Sequence, residues 1–133
     1  MAQRLEGFTV LIVDDDIDIL ESMELAMRAE GAKTYTAEDG TAAVSVCTNT
    51  NPDAVILDMM LPKRSGFLVL EEFSAMKNPP IVIMVTANQG KRHMAYAKSL
   101  GVAAYLVKPV GLDRLINTVS CLLHDKIERQ EHE

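Results

Sequence analysis

Four short stretches of this chain end in residues whose types fit one chemistry. The apolar run Val10–Val13 stops against Asp14, Asp15 and Asp16. Asp58 follows Ala54–Leu57, Thr86 follows Ile81–Val85, and Lys108 follows Ala104–Val107. Unit charges of one sign repel by roughly 4 kcal/mol at 4 Å in a medium of effective dielectric about 20. Carboxylates gathered at one point therefore stay ionised only beside a cation. A hard divalent ion bound through oxygen suits them, and Mg²⁺ takes one or two carboxylates, several waters and phosphate oxygens. Lys108 adds a positive charge with three donors, and Thr86 adds a hydroxyl. Such a set is a receptor for a dianionic phosphoryl group, whose transfer relies on positioning and charge neutralisation. A carboxylate is itself a competent nucleophile for phosphorus and gives an aspartyl-phosphate.

Taken singly, each residue has a plainer reading. An Asp after a strand commonly caps the next helix, a Thr there commonly closes a turn, and a Lys is usually solvated. Only convergence singles them out, so the elements that carry them decide the matter. The strand candidates are Phe8–Val13, Lys33–Ala37, Ala54–Leu57, Ile81–Val85 and Ala104–Val107. Most are rich in Val, Ile and Leu, as strands covered on both faces are. Helical periodicity fills the gaps between them. Ile17, Leu20, Met23 and Met27 recur before Gly31, and a weaker helix spans about Thr41 to Thr48. Phe67, Leu70 and Phe73 mark a third helix, and about Gln89 to Ser99 a fourth. The longest stripe runs from Leu112 through Leu123 to Ile127. Five strand-then-helix units with short loops imply an α/β fold, a doubly wound five-stranded parallel sheet between two helical layers. In the flavodoxin-like order 2-1-3-4-5, ligands bind where the strand order reverses, between strands one and three. Those are the strands that end in aspartates.

Composition narrows the function classes. The chain has 133 residues, 48% of them hydrophobic, and a formal net charge of −6. We expect a single domain over residues 1–133, with a core from about 8 to 124 and a charged helix end or tail from 125 to 133. Cys47 and Cys121 lie far apart on apolar helical faces and read as buried thiols, not as a disulfide or zinc site. The methionines read as core filler. The opening MAQRLEGF has no apolar leader pattern, and no apolar run reaches membrane-helix length. No basic block is present to neutralise phosphates. The expectation is a cytoplasmic domain that neither enters a membrane nor binds nucleic acid directly.

The series LIVDDD, VILDMMLPKRSG, VTA and YLVKP resembles the receiver domain of two-component response regulators, the CheY-like family, over about Val10 to Leu123. The resemblance implies that Asp58 is the phosphoacceptor, charged by the phosphohistidine of a sensor histidine kinase or phosphotransfer protein. It implies a Mg²⁺ (or Mn²⁺) site of Asp14, Asp15, Asp58 and the backbone carbonyl of Met60, with Asp15 a direct ligand and Asp14 acting through metal-bound water. Thr86 matches the switch hydroxyl, Ala87 the backbone N–H donor to the phosphoryl group, and Lys108 its ion-pairing partner. Tyr105 matches the aromatic switch, which couples the pocket to a partner face built from the fourth helix, fifth strand and fifth helix. That face would meet a downstream output domain or protein, or a second copy in a homodimer. The Lys108–Pro109 bond is expected to be cis, and Asp16, next to Ile17, to cap the first helix.

Some positions depart from the common pattern. Met60 and Asn88 occupy sites that tune dephosphorylation, and a Met side chain cannot hydrogen-bond an attacking water. Lys63-Arg64 places basic residues on the loop after Pro62, which offers a contact for an acidic partner. Gly101-Val102-Ala103-Ala104 stands where acidic residues are usual and makes the approach to the partner face more apolar. Three other readings share parts of this pattern. A haloacid-dehalogenase-type phosphatase also opens with D-x-D, which would make Asp14 the nucleophile, but the chain is short and Asp113 stands without the expected late acidic pair. A pseudo-receiver would dock without phosphorylation, which the complete acid set argues against. A flavin-binding relative would need a phosphate loop where three aspartates stand.

Overall fold

The computed structural model describes residues 3–87 and 90–131. Strands β1 (Thr9–Val13), β2 (Lys33–Ala37), β3 (Ala54–Leu57), β4 (Ile81–Thr86) and β5 (Ala104–Val107) alternate with helices α1 (Ile17–Ala29), α2 (Gly40–Thr50), α3 (Gly66–Ser74), α4 (Lys91–Ser99) and α5 (Leu112–Glu131). All pairings are parallel and the strand order is β2-β1-β3-β4-β5, the order expected from the sequence. α2 starts one residue earlier and ends two later than its weak periodicity indicated. The expected start of α4 at Gln89 lies outside the described residues.

The period of two in the strands divides the core into two layers. Val10, Ile12, Ala54, Ile56, Ile83, Val85 and Leu106 face one way, onto α1 and α5. Leu11, Val13, Val55, Leu57, Val82 and Met84 face the other way, onto α2, α3 and α4. Each fully buried aliphatic side chain contributes about 1.5–3 kcal/mol of transfer free energy. Leu5, ahead of β1, is also fully buried in the first layer. Its segment is tied to the domain by Leu5 N–H donating to the Glu30 carbonyl at 2.8 Å and by the Arg4–Glu30 ion pair at 2.7 Å.

The strand–helix junctions are set by local chemistry. Asp16 caps α1, its carboxylate accepting from the N–H groups of Asp18 and Ile19 at 3.0 and 3.2 Å. Asp39 caps α2 and Ser65 caps α3 in the same way. Gly31 ends α1 at φ +93, its N–H donating to Arg28, while Ala32 donates to Met27. Gly101 ends α4 at φ +90 with the same pair of bonds, a left-handed stop that glycine adopts without steric cost.

One expectation of burial fails. Cys47 is buried, and burial pushes its thiol pKa up to about 11, but Cys121 is exposed because it turns away from the buried stripe of Leu115, Ile116, Val119 and Leu123. α5 continues through Glu131, and its residues after Ile127 are exposed. Replacing Asp16 with Ala removes a cap and is expected to lower stability by about 1 kcal/mol, read as a lowered denaturation midpoint with an unchanged slope.

Candidate functional site

The sheet ladder does not stop at the assigned strand ends. Asp14 N–H donates to the Ala37 carbonyl at 3.2 Å, Asp58 N–H to Val13 at 3.1 Å, and Lys108 N–H to Thr86 at 2.9 Å. The polar residues at the ends of β1, β3 and β5 are thus held in register by main-chain bonds. Asp14 is 1% exposed, Asp58 6% and Thr86 0%, while Asp15 is exposed at the rim. Carboxylate oxygens of Asp14, Asp15 and Asp58 lie within 4.8 Å of one another.

Lys108 compensates the two buried acids. Its Nζ donates to Asp14 Oδ2 at 2.6 Å and to Asp58 Oδ2 at 2.9 Å. Each remaining oxygen accepts a main-chain N–H: Asp16 donates to Asp14 Oδ1 at 2.9 Å, and Met60 to Asp58 Oδ1 at 3.0 Å. Partial burial disfavours the Lys108 charge, but the hydrogen bonds and charges of Asp14 and Asp58 outweigh it and raise its pKa above the ordinary lysine value. The cis Lys108–Pro109 bond follows directly. The lysine also borders a cavity of about 470 Å³ lined by Ile19, Met23, Val85, Pro109, Val110 and Leu112.

Three carboxylates against one lysine leave an excess of two formal negative charges, the deficit a divalent cation fills. The donors are all oxygen, which fits Mg²⁺ or Mn²⁺ rather than a thiolate-seeking metal. Asp14, Asp15 and Asp58 could hold such an ion.

The residues expected from the sequence to form the switch lie at the ends of β4 and β5. Thr86 closes β4 and is fully buried, and Ala87 follows it in an exposed bend. Tyr105 is half-buried on β5, and its phenol pKa is raised first by burial and then by the Asp58 charge. Met60 is 64% exposed at the rim. Asn88 lies outside the described residues.

Sequence reasoning missed two arrangements. It matched Lys108 to a phosphoryl oxygen and did not show that the lysine bridges the two buried aspartates, a pairing that spacings of 94 and 50 residues conceal. It also read Lys63 and Arg64 as open to an acidic partner. Within the domain, Lys63 pairs with Asp39 at 3.5 Å and Arg64 with Glu72 at 2.6 Å. Gly66 was the available signal for a close approach: a Cβ there would lie 2.4 Å from the Asp58 carbonyl oxygen.

With this geometry in place, comparison with known proteins identifies the class. The family model of the response regulator receiver domain matches residues 10–120, and the chain belongs to that family. It is 38% identical over 114 residues to the transcriptional regulatory protein PrrA of Mycobacterium leprae, covering 86% of this chain and 49% of that one. It is 34% identical over 124 residues to the probable transcriptional regulatory protein TcrX of Mycobacterium tuberculosis, covering 91% and 53%. The chain thus spans about half the length of these relatives. Among solved structures, a CheY-like receiver domain protein from Methanospirillum hungatei superposes with a TM-score of 0.88 at 26% identity, covering 94% of this chain and 98% of that one. CheY of Borrelia burgdorferi, solved as a CheX–CheY–BeF3–Mg complex, gives 0.82 at 28% identity, covering 88% and 90%. The protein is therefore the receiver domain of a response regulator in two-component signalling. Among the described residues, no helix is long and apolar enough to cross a membrane.

Removing Lys108 would leave Asp14 and Asp58 buried without their counter-charge. Lys108→Met is expected to cost about 3 kcal/mol at neutral pH without divalent metal. Because the folded pKa of Lys108 is raised, its contribution is complete below the unfolded lysine value and is lost as pH rises through the folded one. On the alkaline side, the stability gap between wild type and variant, measured by denaturant unfolding, should therefore narrow above about pH 10.5.

Proposed function

We propose that this chain is a single phosphoacceptor receiver domain that takes a phosphoryl group on Asp58 from the phosphohistidine of a histidine kinase or phosphotransfer protein. The observation that carries this reading is the bridge from Lys108 Nζ to both Asp14 and Asp58 where the strand order reverses. An Asp58 carboxylate oxygen attacks phosphorus, the new P–O bond forms as the P–N bond breaks, and the imidazole nitrogen leaves with the electron pair. Bound Mg²⁺ or Mn²⁺, held by Asp14, Asp15, Asp58 and the Met60 carbonyl, would neutralise charge on the transferring group.

The chain's own groups supply the rest. Met60 N–H, bonded to Asp58 Oδ1, keeps the carboxylate oriented. Lys108 turns from its aspartates to a phosphoryl oxygen. The Thr86 hydroxyl and Ala87 N–H take other oxygens. Movement of Thr86 lets Tyr105 move inward and shifts a two-state equilibrium at the face of α4, β5 and α5. That face would engage an output domain or protein, or a second copy. The named relatives are transcriptional regulators, so a transcriptional output elsewhere in a longer protein fits this reading. The domain itself would be a signalling switch, not an enzyme with external turnover.

Labelling with a small phosphoramidate donor in the presence of Mg²⁺ tests the assignment. Asp58→Asn is expected to abolish labelling, whereas Asp14→Asn should only slow it. Retained labelling of Asp58→Asn with loss in Asp14→Asn would favour the phosphatase-like alternative. A second measurement concerns lifetime: Met60→Asn, which adds a hydrogen-bonding group near the attacking water, is expected to shorten the aspartyl-phosphate half-life by about tenfold or more.

A further inference from the structure

We propose that Gly40, at the start of α2, is a positioning residue for the cation and phosphoryl site, acting through the loop that joins β3 to α3. The proposal rests on the functional reading above. Gly40 has no side chain to offer the site. It packs on the backbone of the loop that carries Met60.

That loop is pinned at two glycines. At its C-terminal end, Gly66 N–H donates to the Met59 carbonyl at 2.8 Å, and a Cβ on Gly66 would lie 2.5 Å from Met59 Cα. In its middle, Gly40 N–H donates to the Pro62 carbonyl at 3.3 Å. A Cβ on Gly40 would lie 2.0 Å from the Arg64 carbonyl oxygen and 2.6 Å from Arg64 Cβ. Between these pins, Arg64 N–H closes a three-residue turn onto the Pro62 carbonyl at 2.7 Å, with Lys63 at φ +66, a strained turn that the surroundings must hold. The Lys63–Asp39 and Arg64–Glu72 pairs strap its two sides to α2 and α3.

The consequence follows from which side can yield. α2 is fixed by the buried Ala43 and Cys47 and by the Asp39 cap, whereas Pro62, Lys63 and Ser65 are exposed. A side chain at position 40 would therefore displace the loop. Two residues before Pro62, Met60 both donates to Asp58 Oδ1 and carries the carbonyl assigned to the cation. Mg²⁺ tolerates little departure from octahedral geometry, so displacement there weakens binding.

The test is a calorimetric Mg²⁺ titration of the full chain, with thermal unfolding and the Met60 amide resonance recorded in parallel. Gly40→Ala is expected to raise the half-saturating Mg²⁺ concentration by about tenfold, as loss of supporting contacts does at other metal sites, and to shift the metal-free Met60 amide. Thr41→Ala, exposed on the same turn, should change neither. Arg64→Gly loosens the loop without inserting an atom, and should weaken Mg²⁺ binding even if Gly40→Ala fails to fold. Wild-type Mg²⁺ affinity in folded Gly40→Ala, or in Arg64→Gly where Gly40→Ala does not fold, overturns the inference alone. Failure of the unmodified chain to bind Mg²⁺ overturns the functional reading itself, and this inference with it.

Discussion

Everything at the business end of this domain depends on one compensation of charge. Two carboxylates, Asp14 and Asp58, are almost wholly removed from solvent at neighbouring strand ends. Their repulsion would cost about 3 kcal/mol or more without Lys108, whose ammonium reaches both. The balance is deliberately incomplete: with Asp15 at the rim, negative charge remains in excess. A divalent cation would make up that deficit, and in the proposed reading the lysine changes partners when a phosphoryl group arrives.

The sheet makes this compensation possible with little help from side chains. Parallel register carries the main-chain ladder past the strand ends, so Asp14, Asp58 and Lys108 are fixed by backbone bonds to Ala37, Val13 and Thr86. The reversal of strand order leaves a crevice between the ends of β1 and β3, and the acids occupy it. The two apolar layers supply the rigidity, with Ile12, Ile56 and Ile83 below one face and Leu11, Leu57 and Met84 below the other. A carboxylate built on such a support loses little orientation on burial.

Most of the positions were legible in the chain because strand ends, caps and apolar periodicity are local signals. Asp16 illustrates the point: it stands in a run of three aspartates, yet its place before Ile17 marked it as a cap, and it bonds Asp18 and Ile19. Gly31 and Gly101 were readable as helix stops for the same reason. Cys121 was misread because a broad helical stripe does not say which of its edges remains exposed. The ion pairs of Lys63 and Arg64 were not legible because Asp39, the cap of α2, and Glu72, within α3, meet them only in the fold.

The sequence by itself determined the element order, the fold class and the identity of the groups at four strand ends, since hydrophobic period and turn chemistry act over a few residues. Tertiary structure decided what those groups do to one another. Only folding brings Lys108 within hydrogen-bond reach of Asp14 and Asp58, and only folding lays Gly40 against the loop that orients Met60. Coulomb attraction and steric exclusion depend on distance in space, and the chain encodes that distance only through the packing of the whole sheet.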